Sequence, residues 1–326
     1  MLYSTTKLKG DTMYSYERYI NPFTDYGFKK IFGDQENTEL LESLINDILG
    51  LEGEDKIAKI IFKNGELLPD NPEDRKAIFD LYCVDEKGSE FIVELQKINQ
   101  KHFQSRALYY ATFPIQEQAI KGSWDFSLTP IYFIGLLNFS IDRFNQSDEF
   151  LHHGKIMDIK SKEVMYDNLN MIYVEIPKLK KSKEELSNHL EWWLYMLQNL
   201  STLQDIPQQL RGDIIEKAFE KAEFINLSKL EQHKYHRNLK IQRDLINSFD
   251  TAHEEGLRKG IEQGIEKGIE QGIEQGIEQG IEQGRHQEKL NLAKSLLDVL
   301  DIQTIALKTG LKVKEIESLK VNLNNN

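Results

Sequence analysis

Residues 77–96 read A-I-F-D-L-Y-C-V-D-E-K-G-S-E-F-I-V-E-L-Q and form the stretch that decides the fold. Two runs rich in β-branched and aromatic residues flank the polar residues 85–88, which is the pattern of a β-hairpin. A three-residue loop, 86–88, with Gly88 in the left-handed conformation is a common hairpin connection. The stretch therefore predicts two antiparallel strands joined by this loop.

The loop length determines which residues face each other across the hairpin. It pairs Asp85 with Ser89, so stepping back five residues on each strand pairs Asp80 with Glu94. Residues directly opposite each other project from one face, and Gln96 shares that face with Glu94. Like charges placed there repel, whereas Mg²⁺ prefers a few carboxylates with water and substrate phosphate. The competing interpretation is that both carboxylates are edge charges that face water.

The composition is that of a globular protein with a sizeable core. The 326 residues, 40% hydrophobic and 29% charged, allow one large domain or two ordinary ones. No run of about 18 apolar residues is present, so we expect no membrane span. The N-terminus lacks the apolar core of a signal peptide, and the single cysteine, Cys83, favours a reducing cytoplasm. A net charge of −12 argues against broad nonspecific nucleic-acid binding, although it leaves room for a local basic groove.

Two helices are predicted before the hairpin. Residues 21–33 read N-P-F-T-D-Y-G-F-K-K-I-F-G, which predicts a short amphipathic helix with Asp25 and Lys29 as an ion pair four residues apart. We interpret this pair as structural rather than catalytic. Residues 37–49 have the period of a second helix, which Gly50 ends.

The remaining elements complete a mixed α/β pattern. Residues 57–62 predict a strand before the hairpin, and residues 100–121 predict a helix after it. Residues 131–138 are nearly all apolar, as in a strand buried on both faces, and residues 170–176 predict one more strand. The predicted order is helix, three strands, helix, strand.

Three of these segments resemble a known family. The run N-P-F-T-D-Y-G-F-K-K-I-F-G, the D…E-x-Q hairpin and the R-x-x-Y-Y helix are similar to the recombination-promoting nuclease / putative transposase family, within the PD-(D/E)XK nuclease superfamily. The resemblance covers about residues 18–250. It implies a restriction-endonuclease-like αβββαβ core, Mg²⁺-dependent DNA cleavage with Mn²⁺ as a second suitable ion, and a role in recombination or mobile-element biology.

The resemblance also implies roles for individual residues. Asp80 and Glu94 match the superfamily's metal-binding acids, and Gln96 stands where the superfamily usually has lysine. A neutral amide can orient water but cannot offset developing negative charge as an ammonium does. Glu42 is favoured over Glu39 as a first-motif acid.

The helix after the hairpin adds two expected contacts. Arg106 and Tyr109 are candidates for contacting phosphate, with an ordinary helix-surface charge as the alternative for Arg106. Two histidines at 233 and 236 lie in a basic run on a later helix, but no acid or cysteine completes a metal-ligand set there at a recognised spacing. A lysine cluster at 178–183 is interpreted as a solvated loop or a DNA contact.

The C-terminal third predicts helices of unusual composition. Glycine recurs every fourth residue from Gly256 to Gly284, mostly as G-I-E-Q. Each glycine costs a helix about 0.8–1.0 kcal/mol relative to alanine, so we expect this tract to be helical only where it packs on a second copy or on its own core. Two roles for the tract remain open, self-association into a homodimer and a flexible spacer. Residues 290–326 have the pattern of short helices with Gly310 in a turn.

The predicted domain organisation has five parts. These are an N-terminal extension at 1–20, a nuclease-like core at 21–180, a helical region at 181–255, the repeat at 256–284 and a small helical tail at 285–326. Two functions compete: a metal-dependent endonuclease, and an oligomeric DNA- or protein-binding module that kept the fold and lost cleavage.

Overall fold

The computed structural model describes residues 17–67, 77–119, 125–141, 144 and 147–324. Two helices come first, α1 at Asp25–Phe32 and α2 at Glu39–Leu49. The Thr24 hydroxyl accepts a hydrogen bond from the Gly27 N–H at 2.9 Å and so caps α1. Gly50 ends α2 in the left-handed conformation, with φ of +65°. Both helices confirm the sequence-based prediction.

Strands between residues 60 and 175 form a six-stranded sheet. Its strand order is β1-β4-β5-β6-β8-β7, with β5, β6 and β8 parallel to one another. A separate pair, β2 and β3, is antiparallel. The strands are β1 Ile60–Phe62, β2 Glu66–Leu67, β3 Ala77–Ile78, β4 Leu81–Asp85, β5 Glu90–Gln96, β6 Ile131–Leu137, β7 Leu151–Met157 and β8 Val164–Glu175.

Helices cover the two faces of the sheet unequally. The larger core joins one face to α1, α2, α4 at His189–Asn199 and α5 at Ile214–Ala222, with Trp193 fully buried. The other face packs on α3, Phe103–Glu117, through a smaller cluster that includes Phe103 and Phe133. This arrangement confirms the predicted α/β class and is consistent with a restriction-endonuclease-like fold.

The hairpin and its neighbours differ from the predicted strands in two respects. The first run, expected as one strand through Asp80, is divided into β3 and β4, and Asp80 lies in the bend between them. The last predicted strand, 170–176, is the end of the longer strand β8, which pairs with β7 at the sheet edge. Strand β7 was not predicted, because its residues are mostly exposed and lack apolar alternation.

The chain divides into two compact units, Met1–Ile246 and Asn247–Asn326. Helix α6, Lys229–Leu296, begins in the first and ends in the second. Helices α7 at Ile302–Thr309 and α8 at Val313–Asn324 follow it. In the second unit they enclose a small core, and Gly310 makes the predicted turn with φ of +70°. Among the described residues, no helix is long and apolar enough to cross a membrane.

The glycine repeat is helical throughout. A Cβ built on any glycine from Gly256 to Gly284 has no atom within 4 Å beyond the helix itself. The isoleucines of the repeat form a row from Ile261 to Ile281, each more than half exposed. Packing of the tract, on a second copy or on its own core, stays a prediction.

Candidate active site

The hairpin loop has the predicted geometry. Gly88 takes a φ of +85°, and the Asp85 N–H donates to the Ser89 carbonyl oxygen at 3.0 Å. The Asp85 side chain accepts hydrogen bonds from the backbone N–H groups of Lys87 and Ser89, which holds the loop closed. Leu81 pairs with Val93, and the same register continued by one residue places Asp80 opposite Glu94.

Each carboxylate of the pair accepts a hydrogen bond from a backbone N–H of the segment that faces it. The Asp80 N–H donates to Oε1 of Glu94 at 3.1 Å, and the Leu95 N–H donates to Oδ2 of Asp80 at 2.8 Å. These side-chain bonds replace the ladder bonds that a continuous strand would make here. The bend at Asp80 therefore follows from the two carboxylates, and it fixes them beside each other.

Burial disfavours negative charge on both groups. Glu94 is 5% exposed and Asp80 is half-buried. Burial, with the charge of Asp80 as the second cause, raises the pKa of Glu94 to about 8. Burial also raises the pKa of Asp80, against the hydrogen bond from Leu95. Within the described residues, neither carboxylate forms an ion pair with lysine, arginine or histidine.

Gln96 connects this pair to helix α3. Its Nε2 donates to Oε2 of Glu94 at 3.3 Å, and its Oε1 accepts from Nη2 of Arg106 at 2.8 Å. Arg106 also donates to the side chain of Gln100 and lies over the Phe103 ring, with its Cζ 5.6 Å from the ring centroid. Arg106 therefore reaches the site through the amide of Gln96.

Tyr110 of α3 lies close enough to the carboxylates to be influenced by their charges. Burial raises the pKa of Tyr110, and the charges of Glu94 and Asp80 add to this effect. Its ring packs edge-on against Phe79, 5.3 Å between centroids. Tyr109 is 43% exposed and packs against Phe113. Sequence analysis missed Tyr110, although its position four residues after Arg106 places both on one helix face.

A family model described as PD-(D/E)XK nuclease family transposase matches residues 22–252. The chain belongs to this family. No curated protein and no solved structure matches it. Membership confirms the resemblance drawn from the sequence and supports a nuclease or transposase-like function. Every side chain described so far in this site lies inside the matched range.

The two glutamates considered as a first-motif acid of this PD-(D/E)XK chain make other contacts. Oε1 of Glu42 accepts from the Thr38 hydroxyl at 2.6 Å and from the Ile60 N–H at 3.0 Å. Ile60 pairs with Asp85, five residues along the hairpin from Asp80 and therefore about 16 Å away at strand spacing. Glu39 pairs with Lys217 at 2.7 Å. The structure thus places Glu42 at the opposite end of β4 from the pair.

Two cationic side chains, Lys97 and Arg243, lie near each other next to Gln96, and the sequence analysis did not predict this proximity. Lys97 follows Gln96 directly and is half-buried, and burial together with the charge of Arg243 on α6 lowers its pKa. Within the described residues, neither side chain forms an ion pair. The neighbouring Gln242 bonds to the Phe23 carbonyl oxygen at 2.7 Å, which fixes this part of α6 on the N-terminal segment. The juxtaposition spans 146 positions of the chain, so local pattern could not reveal it.

The donor set suits the divalent ion that PD-(D/E)XK nucleases generally use. Oδ1 of Asp80 accepts no hydrogen bond within the described residues, and Oε2 of Glu94 accepts only the long bond from Gln96. No third histidine, cysteine, aspartate or glutamate joins them in that part of the chain. Mg²⁺ is usually held by one or two carboxylates, with water and substrate phosphate completing its shell. Asp80 and Glu94 therefore fit as its protein ligands.

Proposed function

We propose that the protein is a metal-dependent DNA endonuclease that hydrolyses phosphodiester bonds and promotes recombination or mobile-element activity. The observation that carries the proposal is the pair Asp80 and Glu94. Their carboxylates are adjacent, Glu94 is buried, and in the described part of the chain neither forms an ion pair with a protein cation. Buried charge of this kind is costly, and a bound Mg²⁺ or Mn²⁺ is the ion that would offset it.

Asp80 and Glu94 would hold the ion, which when bound polarises a phosphate and makes a bound water more acidic. In the hydrolysis, a water oxygen bonds to phosphorus while the bond from phosphorus to the leaving oxygen breaks. The water gives up one proton, and the leaving oxygen takes one up. The chain contributes by excluding water around Glu94 and by orienting polar groups through the amide of Gln96. Arg106, held by that amide, supplies positive charge on the α3 side of the site.

DNA is the proposed substrate, contacted through cations around the carboxylates. Arg106 and Tyr109 lie on α3, and Lys97 and Arg243 lie at the end of β5 and on α6. Lys97 and Arg243 are like charges that form no ion pair within the described ranges, and an anion such as a DNA phosphate would stabilise them. These cations would provide a local basic surface for DNA on a chain whose net charge is −12.

Nicking of supercoiled plasmid in Mg²⁺ tests the proposal. We expect Asp80→Asn and Glu94→Gln each to lower the nicking rate by about 10²-fold or more, because each removes a metal ligand. Each amide keeps a side-chain oxygen that can accept the backbone N–H bond of the carboxylate it replaces. Glu117→Gln is the matched control. Glu117 is a carboxylate at the end of α3, the helix that covers this face of the sheet, and it contacts Lys63 and Tyr82 instead.

Two results would contradict the proposal. One is that both Asp80→Asn and Glu94→Gln nick plasmid at the wild-type rate. The other is a wild-type protein that binds DNA and metal but does not nick, which would favour the cleavage-deficient binding module.

Self-association through the Gly256–Gly284 tract is a second part of the proposal. The exposed isoleucine row beside a glycine row permits close approach of two helices, as rows of small residues do elsewhere. We expect sedimentation at tens of micromolar to show a dimer for the full chain and a monomer after deletion of residues 260–283. A full-length chain that stays monomeric there would leave the spacer interpretation.

The proposed location is the cytoplasm. It is supported by the single cysteine, Cys83, which is fully buried and whose thiol pKa burial raises. A buried free thiol of this kind is inert and suits a reducing compartment.

A further inference from the structure

Lys29 of α1 shares a cleft with Asp80, although the two residues are far apart in sequence. Lys29 and Asp80 line the same cleft, of about 350 Å³, together with Gly33, Phe62 and Tyr82. Gly33 follows α1 closely enough that an added Cβ would lie 3.1 Å from the Leu81 side chain. Helix α1 therefore packs directly against the start of β4, and this contact brings Lys29 to the site.

The Lys29 side chain is accessible at this cleft. It is 42% exposed, so its ammonium can reach a ligand that binds in the cleft beside Asp80. Lys63 also lines the cleft, but it is paired with Glu90 and with Glu117, each at 2.9 Å.

Lys29 is held in place by a bond that is easily exchanged. Its Nζ lies 2.6 Å from Oδ1 of Asp25, and both side chains are substantially exposed. Exposed pairs at this spacing stabilise a helix by only about 0.2–0.5 kcal/mol. By contrast, Arg106 is bonded to the side chains of Gln96 and Gln100. Of the two cations, Lys29 is therefore the one that can turn to a phosphate at little cost.

We propose that Lys29 supplies, from α1, the positive charge that Gln96 cannot supply from β5. Its ammonium exchanges Asp25 for a non-bridging oxygen of the scissile phosphate next to Asp80, and it forms and breaks no covalent bond. Asp25 acts as the positioning residue that holds Lys29 toward the cleft before substrate arrives. The inference rests on the proposed hydrolysis, which it deepens by naming the cation that offsets charge in the transition state.

Lys29→Met is the direct test, with two measurements. Single-turnover nicking at saturating Mg²⁺ should slow by about 10²-fold, the effect of removing one group that stabilises transition-state charge. Mn²⁺ affinity, measured by calorimetry without DNA, should increase several-fold, because a positive charge next to the metal ligands has been removed. Lys29→Arg should keep most of the rate and the wild-type Mn²⁺ affinity.

Lys30→Met is the matched control. Lys30 is the next residue of the same helix, but it pairs with Glu231 at 2.7 Å, so its loss should change neither measurement. A Lys29→Met protein that nicks at the wild-type rate would overturn the inference and leave the proposed function intact. A slower Lys29→Met protein with unchanged Mn²⁺ affinity would overturn it too, since the charge would not act at the carboxylates. A wild-type protein that does not nick would overturn the proposed function, and the inference with it.

Discussion

Strand β5 carries two buried glutamates on one face, and their surroundings differ. Glu90 and Glu94 are each 5% exposed. Glu90 accepts from Lys63 at 2.9 Å, from the Tyr82 hydroxyl and from Gln118 at 3.2 Å, and Glu117 joins the same network.

Glu94 has backbone and amide donors, with Asp80 as its neighbouring carboxylate. Burial alone therefore does not distinguish a structural acid from a site acid. What distinguishes them, among the described residues, is that Glu90 forms an ion pair with Lys63 whereas Glu94 forms none.

The contrast between Glu90 and Glu94 is tested first by the stability of two matched variants. Glu90→Gln should lower the free energy of unfolding by on the order of 1–3 kcal/mol, because it leaves Lys63 without its buried acceptor. Glu94→Gln should leave stability unchanged or raise it in metal-free buffer, since it removes a buried charge that lacks a cation. Urea denaturation at pH 8 with chelator measures both. Equal losses would show that Glu94 is a structural acid as well.

A second prediction follows from the raised pKa of Glu94. Its pKa is about 8 in the fold and near 4.5 when unfolded, so the folded state holds a proton that the unfolded state releases. The resulting stability is complete below pH 4.5 and is lost as the pH rises toward 8. Mg²⁺ binds the deprotonated form, so it should stabilise the protein more at pH 8 than at pH 5.

Thermal unfolding across this pH range, with and without Mg²⁺, measures the effect. Glu94→Gln is the necessary comparison. His189, whose pKa is raised to about 9 by the hydrogen bond that its ring donates to Asp47, adds a slope of the same sign above pH 6.5 in both proteins. Burial raises the pKa of Asp80 as well, so the Asp80→Asn, Glu94→Gln double variant completes the comparison. An undiminished loss of stability between pH 4.5 and 6.5 in the double variant would contradict the assignment to the carboxylate pair.

The smallest expected effect concerns Gln96. Gln96→Leu should lower nicking by about tenfold, or 1.4 kcal/mol, because it removes the bridge from Glu94 to Arg106 without reaching the metal ligands. Gln96→Lys should retain or raise the rate, since it places a cation beside developing charge. Single-turnover nicking measures both. An unchanged rate in Gln96→Leu would show that the amide has no part in the reaction.

The site was predictable where it depends on local geometry. The three-residue loop sets the register of the hairpin, and the observed pairing of Leu81 with Val93 agrees with it. The bend at Asp80 was not predictable, because it arises from hydrogen bonds between side chains and the backbone of the facing strand. The pairing of β3 with β2 adds to it.

The long-range contacts around the site were also hidden in the sequence. Lys29 and Asp80 line one cleft because α1 packs on Leu81. Lys63 neutralises Glu90 and Glu117 across the sheet. The sequence shows that both glutamates of β5 belong to one apolar strand, but it does not show which of them has a lysine.

The most direct test of this account is a crystal structure of the protein soaked in Mn²⁺, with the ion located by its anomalous signal. The account predicts one strong peak within coordination distance of both Asp80 and Glu94, and no peak at Glu90 and Glu117, where Lys63 already provides the charge. Soaked Glu94→Gln crystals should lose the peak. Manganese bound at Glu90, or absent from the Asp80–Glu94 pair at saturating concentration, would contradict the central claim.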